Sequence, residues 1–268
     1  MIDARLLDAV GALINAHARP GHVPLIGIAG AQGSGKTTLA RAAAEGWGAA
    51  HLSLDDVYLT KAEREAKGRA VHPLFAVRGP PGTHDLGLLE ATVEALRAAG
   101  PDSRTALPAF DKLADDRRPE AQWPLFAGRP SAVLVDGWCL GATAQAEADL
   151  TAPINALERE RDGQEAWRRA VNEALAGPYA DLFARFDAVL FLKVPTFTAV
   201  LDWRCEQEAG LLGLAPVDLP PERRAELAVF IQAFERITRH MLTGGVRADL
   251  TFDLARDRTI SPPASGRS

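Results

Sequence analysis

The residues from Gly30 to Thr38 read Gly-Ala-Gln-Gly-Ser-Gly-Lys-Thr-Thr and match the spacing G-x-x-x-x-G-K-[ST]. Backbone amides can wrap a chain of phosphates only where side chains stay out of the way, which is what Gly30, Gly33 and Gly35 allow. Lys36 reaches the β- and γ-phosphates as a point charge, and the Thr37 hydroxyl is placed to ligate Mg²⁺. Gln32, Ser34 and Thr38 complete the predicted nucleotide contact, with ATP and Mg²⁺ as the implied cofactors. A second metal-side group is needed at the end of another central strand. Asp136 is the first polar residue after the apolar run Ala132–Val135 and meets that requirement. Transfer to a hydroxyl further needs a carboxylate that takes its proton. Asp55 and Asp56 follow a short strand pattern, with Asp55 the first choice for the base and Asp56 the second. Tyr58 packs beside them or lines the pocket.

These groups need a scaffold, and the apolar pattern supplies one. Val23–Ala29, Ala132–Val135 and Ala188–Val194 are short apolar runs suited to strands buried on both faces, and Ala50–Leu54 and Leu250–Leu254 read as a second and a last strand. Helical spacing marks Leu6, Leu7, Val10, Leu13 and Ile14. It also predicts helices over about 35–45, Leu86–Ala99, Pro195–Glu208 and Pro221–Leu242. On the last of these, Leu227, Phe230, Phe234, Ile237 and Met241 form one face, and Gln232, Glu235, Arg236 and Arg239 fall on the other. Strands alternating with helices predict an α/β fold with a mostly parallel sheet covered on both sides, in a single domain over 1–260. Lys61–Thr83 and Leu140–Asp162 break the alternation and are read as irregular lid or substrate-loop insertions. The tail 261–268 is read as disordered.

Taken in order, these segments resemble the phosphoribulokinase/uridine kinase family of P-loop kinases, and within it the D-glycerate 3-kinase group. The resemblance is carried by Gly30 to Thr38, Ser53-Leu-Asp-Asp-Val-Tyr-Leu-Thr60, Arg78-Gly-Pro-Pro-Gly-Thr-His-Asp85, Pro108-Ala-Phe-Asp-Lys112, Asp136-Gly-Trp-Cys-Leu-Gly141 and Trp203-Arg-Cys-Glu-Gln-Glu208. It spans about Val23 to Ile260. Two positions depart from the family: Asp136 stands where Glu is expected, and Val57 where Phe is expected. The resemblance implies a nucleoside-kinase-like fold and places the loops around Arg78 and Lys112 against the acceptor. Arg78 and Lys112 would then hold a carboxylate, and His84 and Asp85 would grip hydroxyls. Arg204, with Gln207 and Glu208, lies where a lid helix closes over ATP, so Arg204 either neutralises charge on the transferred group or sits on a solvated helix face. Arg236 and Arg239 read as surface ion pairs, and Trp138 as a packing residue.

Composition narrows the classes. In 268 residues the formal net charge is −5, which argues against a broad nucleic-acid surface. No apolar run approaches a membrane span, and the first residues lack the apolar stretch of a secretory signal. Cys139 and Cys205 have neither metal-ligand spacing nor a disulfide framework, which suits a reducing cytoplasm. The resulting expectation is a cytoplasmic kinase for a small alcohol, D-glycerate first, with the 3-position supplied by the resemblance. Nucleosides and pantothenate are the alternative acceptors. A P-loop ATPase or switch acting on a protein partner is the alternative class.

Overall fold

Leu25–Gly30 (β1) is buried along its whole length, as a strand covered on both faces must be. The computed structural model describes residues 2–261, so all but the first residue of the expected tail lies outside the described residues. Among these residues β1 joins β2 (Ala50–Ser53), β3 (Val133–Gly137), β4 (Ala188–Lys193) and β5 (Leu250–Asp253) in one parallel sheet of order β2-β3-β1-β4-β5. From β1 the chain builds β2 and β3 on one side and β4 and β5 on the other. A crevice therefore opens at the carboxyl end of β1, where an open α/β sheet binds ligands.

The helices in chain order are α1 (Ala4–His17), α2 (Lys36–Trp47), α3 (Lys61–Ala70), α4 (Leu86–Ala98), α5 (Ala156–Arg161), α6 (Ala166–Ala174), α7 (Ala180–Phe183), α8 (Phe197–Leu211), α9 (Pro221–Phe230) and α10 (Gln232–Leu242). Side chains alternate across the sheet with the strand period of two. Leu25, Ala29, Val133, Val135, Val189 and Phe191 pack with Leu89 and Val93 of α4, Trp167 of α6, and Phe234 and Ile237 of α10. Ile26, Ile28, Leu134, Leu190 and Leu192 pack with Val10 and Ile14 of α1, Leu39 and Ala43 of α2, and Val200 and Trp203 of α8. The outer part of α8 and α9 has its own small core of Cys205, Ala209, Leu219 and Leu227.

Several expectations change. The stretch 61–83 is not irregular: it opens with α3, started by a capping box between Thr60 and Glu63. Its buried residues are Arg64 and Gly68, so apolar periodicity could not reveal it. Leu140–Asp162 likewise contains a short 3-10 turn and α5. The helix over Pro221–Leu242 is divided at Ile231, and Arg236 is not on its surface. The Arg236 guanidinium is buried against Glu158 through bonds of 2.7 and 2.6 Å and donates to the carbonyls of Asp149 and Ala152. This buried pair fastens α10 to the 149–158 segment. Arg239 is exposed and pairs with Glu235, which is itself buried and so also departs from the predicted outer face. Pro195 lies ahead of α8, whose cap is Thr196, accepting from the Ala199 amide.

Candidate active site

The glycine-rich turn connects β1 to α2 at the sheet's carboxyl edge. Gly33 and Gly35 take φ values of +79° and +90°, which L side chains rarely adopt. A Cβ on Gly30 would stand 2.6 Å from Ser34 Oγ, and one on Gly33 only 2.5 Å from Trp203 Cβ. The Ser34 hydroxyl is buried and has no partner among the described residues, which leaves a donor for a phosphate oxygen. Gln32 Oε1 is also buried and unpartnered, and Thr38 is exposed at the start of α2. The dipole of α2 adds positive potential at the same point.

Thr37 and Asp136, singled out separately in the sequence, are brought together here. Thr37 Oγ1 donates to Asp136 Oδ2 at 2.8 Å. The other carboxylate oxygen is 2.7 Å from His51 Nε2, and Asp136 is buried. A hydroxyl and a carboxylate are hard oxygen donors that fit Mg²⁺. Among the described residues no group of three metal-binding side chains occurs, so phosphate oxygens and water would have to complete such a shell. His51 was not anticipated. Its one signal is a polar residue inside β2, two positions before Ser53, which is in register with Asp136.

Asp55 and Asp56 follow β2 on a short 3-10 turn capped by Ser53. Asp55 Oδ1 accepts from Tyr58 Oη at 2.9 Å, and Oδ2 accepts from Lys112 Nζ at 2.9 Å. Burial alone would raise the Asp55 pKa. The nearby Lys112 and Lys36 charges, with the bonds from Lys112 and Tyr58, outweigh it and hold the carboxyl well below the usual range. Asp56 turns elsewhere: its Oδ1 accepts from the Phe110 amide at 3.4 Å, and burial raises its pKa. It braces the 110–117 ribbon that carries Lys112.

His84 stacks on Tyr58 with ring centroids 4.5 Å apart, and its Nδ1 lies 2.5 Å from Tyr179 Oη. Tyr179 Oη also accepts from the Gly82 amide. His84 Nε2 is buried without a partner among the described residues, and burial lowers the His84 pKa to about 3, so the ring is neutral. Arg78 bonds Asp115, and its guanidinium lies over the Phe110 ring at 5.6 Å from the centroid. The buried Arg64 grips the same Asp115, and its guanidinium lies 5.8 Å from the centroid of the same Phe110 ring. Both carboxylate oxygens of Asp85 are taken, one by the Leu88 amide at the start of α4 and one by Arg117 at 3.0 Å. Asp85 therefore acts as a helix cap and loop brace in this state. Arg204 points along its own helix, bonding Gln207 and pairing with Glu208. Trp138 is buried and donates to the Gly79 carbonyl, tying the Arg78 loop to the core. Both cysteines are buried and free.

No protein-family model matches the chain. Several solved structures share its fold, two of which follow. D-glycerate 3-kinase from Cryptococcus neoformans is 22% identical with a TM-score of 0.77, over 97% of this chain and 99% of that one. The YGR205w protein is 19% identical with a TM-score of 0.68, over 96% of each chain. In sequence, the kinase mug58 of Schizosaccharomyces pombe, itself uncharacterized, is 31% identical over 220 residues, 77% of this chain and 78% of the relative. No helix among the described residues is long and apolar enough to cross a membrane. The nucleotide loop, the acid at its rim and this extended likeness together make the chain a P-loop kinase, an enzyme of the same family as mug58.

Proposed function

We propose that the protein transfers the γ-phosphoryl group of Mg·ATP to a hydroxyl of a small carboxylated alcohol, D-glycerate in the first instance, giving 3-phosphoglycerate. The observation that carries this reading is Asp55: an anionic carboxylate flanked by Lys112 and close to Lys36 at the sheet's carboxyl edge. A hydrolytic switch has no use for a base beside a cation from a separate, acceptor-facing ribbon. D-glycerate 3-kinase from Cryptococcus neoformans shares the fold over nearly its whole length, which favours this acceptor over nucleosides or pantothenate.

In this reading Lys36 and the loop amides from Gln32 to Thr38 hold the phosphates, and the Ser34 hydroxyl adds a donor. Thr37 and Asp136 are the residues that would hold Mg²⁺, which when bound offsets the charge of the β- and γ-phosphates. Asp55 accepts the proton of the acceptor hydroxyl as its oxygen attacks phosphorus. Lys112 leaves Asp55 for the acceptor carboxylate, and losing that cation strengthens Asp55 as a base. Arg78, fixed by Asp115, gives a second positive charge to the carboxylate side. Neutral His84 offers Nε2 to an acceptor hydroxyl beside Tyr58. Arg204 exchanges Glu208 for the transferred phosphoryl group when the lid closes. The net charge of −5 disfavours a broad nucleic-acid surface, which suits a small-molecule acceptor.

A coupled ADP-release screen across glycerate, nucleosides, pantothenate and sugar phosphates tests this, with phosphorus NMR of the product. The expected result is a phosphomonoester of glycerate. A nucleotide or phosphopantothenate product would replace the acceptor, and free phosphate alone would turn the reading to an ATPase.

A further inference from the structure

After β5 the chain makes a tight return that does not belong to the predicted machinery. Leu254 bridges back to Ile260, the Ala255 amide donates to the Thr259 carbonyl, and Arg258 at the turn has φ +67°. The Arg258 side chain ends on the phosphate loop. Its Nε donates to the Gly33 carbonyl at 2.8 Å, its NH2 pairs with Glu206 at 2.6 Å, and its guanidinium lies 4.9 Å from the Trp203 ring centroid. Trp203 is buried on α8, donates from Nε1 to the Arg256 carbonyl, and is the side chain against which Gly33 packs. Arg256 adds a 3.5 Å pair to Asp202. The return is therefore fastened to α8 at three points, Asp202, Trp203 and Glu206, and to the loop at one.

We propose that Arg258 is a positioning residue. It holds the Gly33 carbonyl away from the phosphates, so that the loop amides face them, and it ties the loop to the helix that carries Arg204. A carbonyl turned inward would oppose the anion, and a charge-assisted bond is the stronger way to prevent that. Glu206, one helical turn from Trp203 and two residues from Arg204, makes the tie: movement of α8 pulls on the group that shapes the loop. Any nucleotide at the loop would feel this, whichever acceptor proves correct.

The test is calorimetric binding of Mg·ADP to the full chain, with thermal melting of each free variant. Arg258→Met should melt cooperatively near the wild type and weaken Mg·ADP by about 10-fold or more, the usual cost of one charged hydrogen bond. Arg258→Lys, which keeps the charge but not the fork, should recover part of that loss. Glu206→Gln should weaken binding about 2–3-fold alone and add nothing in the Arg258→Met background, because it acts through Arg258. Wild-type Mg·ADP affinity in Arg258→Met overturns the proposal, and additive effects of the two substitutions overturn the tie to α8. Should Arg258→Met fail to fold, wild-type affinity in Arg258→Lys and Glu206→Gln together overturns it.

Discussion

The two halves of this site are built in opposite ways. On the phosphate side, Thr37, Asp136 and His51 sit on a helix start and two adjacent strands and touch one another directly. On the side proposed for the acceptor, the charged groups ride on loops and a ribbon of two short strands, Phe110–Asp111 and Asp116–Arg117, and each finds an opposite charge: Lys112 with Asp55, Arg78 with Asp115, Arg117 with Asp85. Strand ends place side chains through backbone geometry alone, so the phosphate side is organised before any ligand arrives. The acceptor side spends its charges on itself, so an anionic acceptor must exchange partners with groups already paired. Such exchange makes the acceptor half the more sensitive to single substitutions in turnover. The phosphate half should be the more sensitive in nucleotide binding.

The largest expected effect isolates the acceptor half. Asp55→Asn keeps the size and the bond from Tyr58 but removes the base, so kcat should fall roughly 10²–10⁴-fold. Mg·ATP binding should stay within a few-fold in the same preparation. Near-wild-type transfer in Asp55→Asn, with a dead Asp56→Asn, would move the base by one residue, against the bond Asp56 makes to the ribbon. Next comes Lys36→Ala, which should cost on the order of 10²-fold in kcat/KM for ATP through lost stabilisation of the transferred group. Turnover close to normal would show that the loop amides suffice and that the phosphate half is less dependent on its lysine than the motif implies.

Arg78→Ala sharpens the comparison further. The KM for the acceptor should rise about 10-fold, with that for ATP little changed. Equal effects on both substrates would mean that Arg78 only braces Asp115 and the Phe110 ring. The smallest effect is on stability. His84 has its pKa depressed by burial to about 3. The unfolded chain, with an ordinary histidine near 6.5, therefore binds that proton first as the pH falls. Stability should decline by up to about 1.4 kcal/mol per pH unit between roughly pH 6 and 4. Asp55, with a lowered pKa, loses its own contribution only below the ordinary carboxylate value, so it does not confuse that window. Urea unfolding of His84→Gln at pH 7, 5.5 and 4.5 should show a flatter decline, and an unchanged slope would mean that His84 protonates without penalty.

From the residues alone, the central strands, the phosphate loop and the positions of Asp55 and Asp136 were all legible, because each depends on short-range rules. A doubly buried strand must be apolar, a phosphate turn must be glycine-rich, and the first polar residue after a strand stands at the sheet's edge. The sequence did not show α3, whose inward-facing side chain of any size is an arginine, nor the burial of Arg236, whose partner Glu158 lies 78 positions away. It could not place His51 against Asp136, 85 positions on, or Arg258 against Gly33, 225 positions back. A charge in a sequence carries no sign of its partner. Whether it faces solvent, a substrate or a buried opposite charge is decided by which segments the fold brings within about 4 Å, where Coulomb attraction repays the loss of hydration.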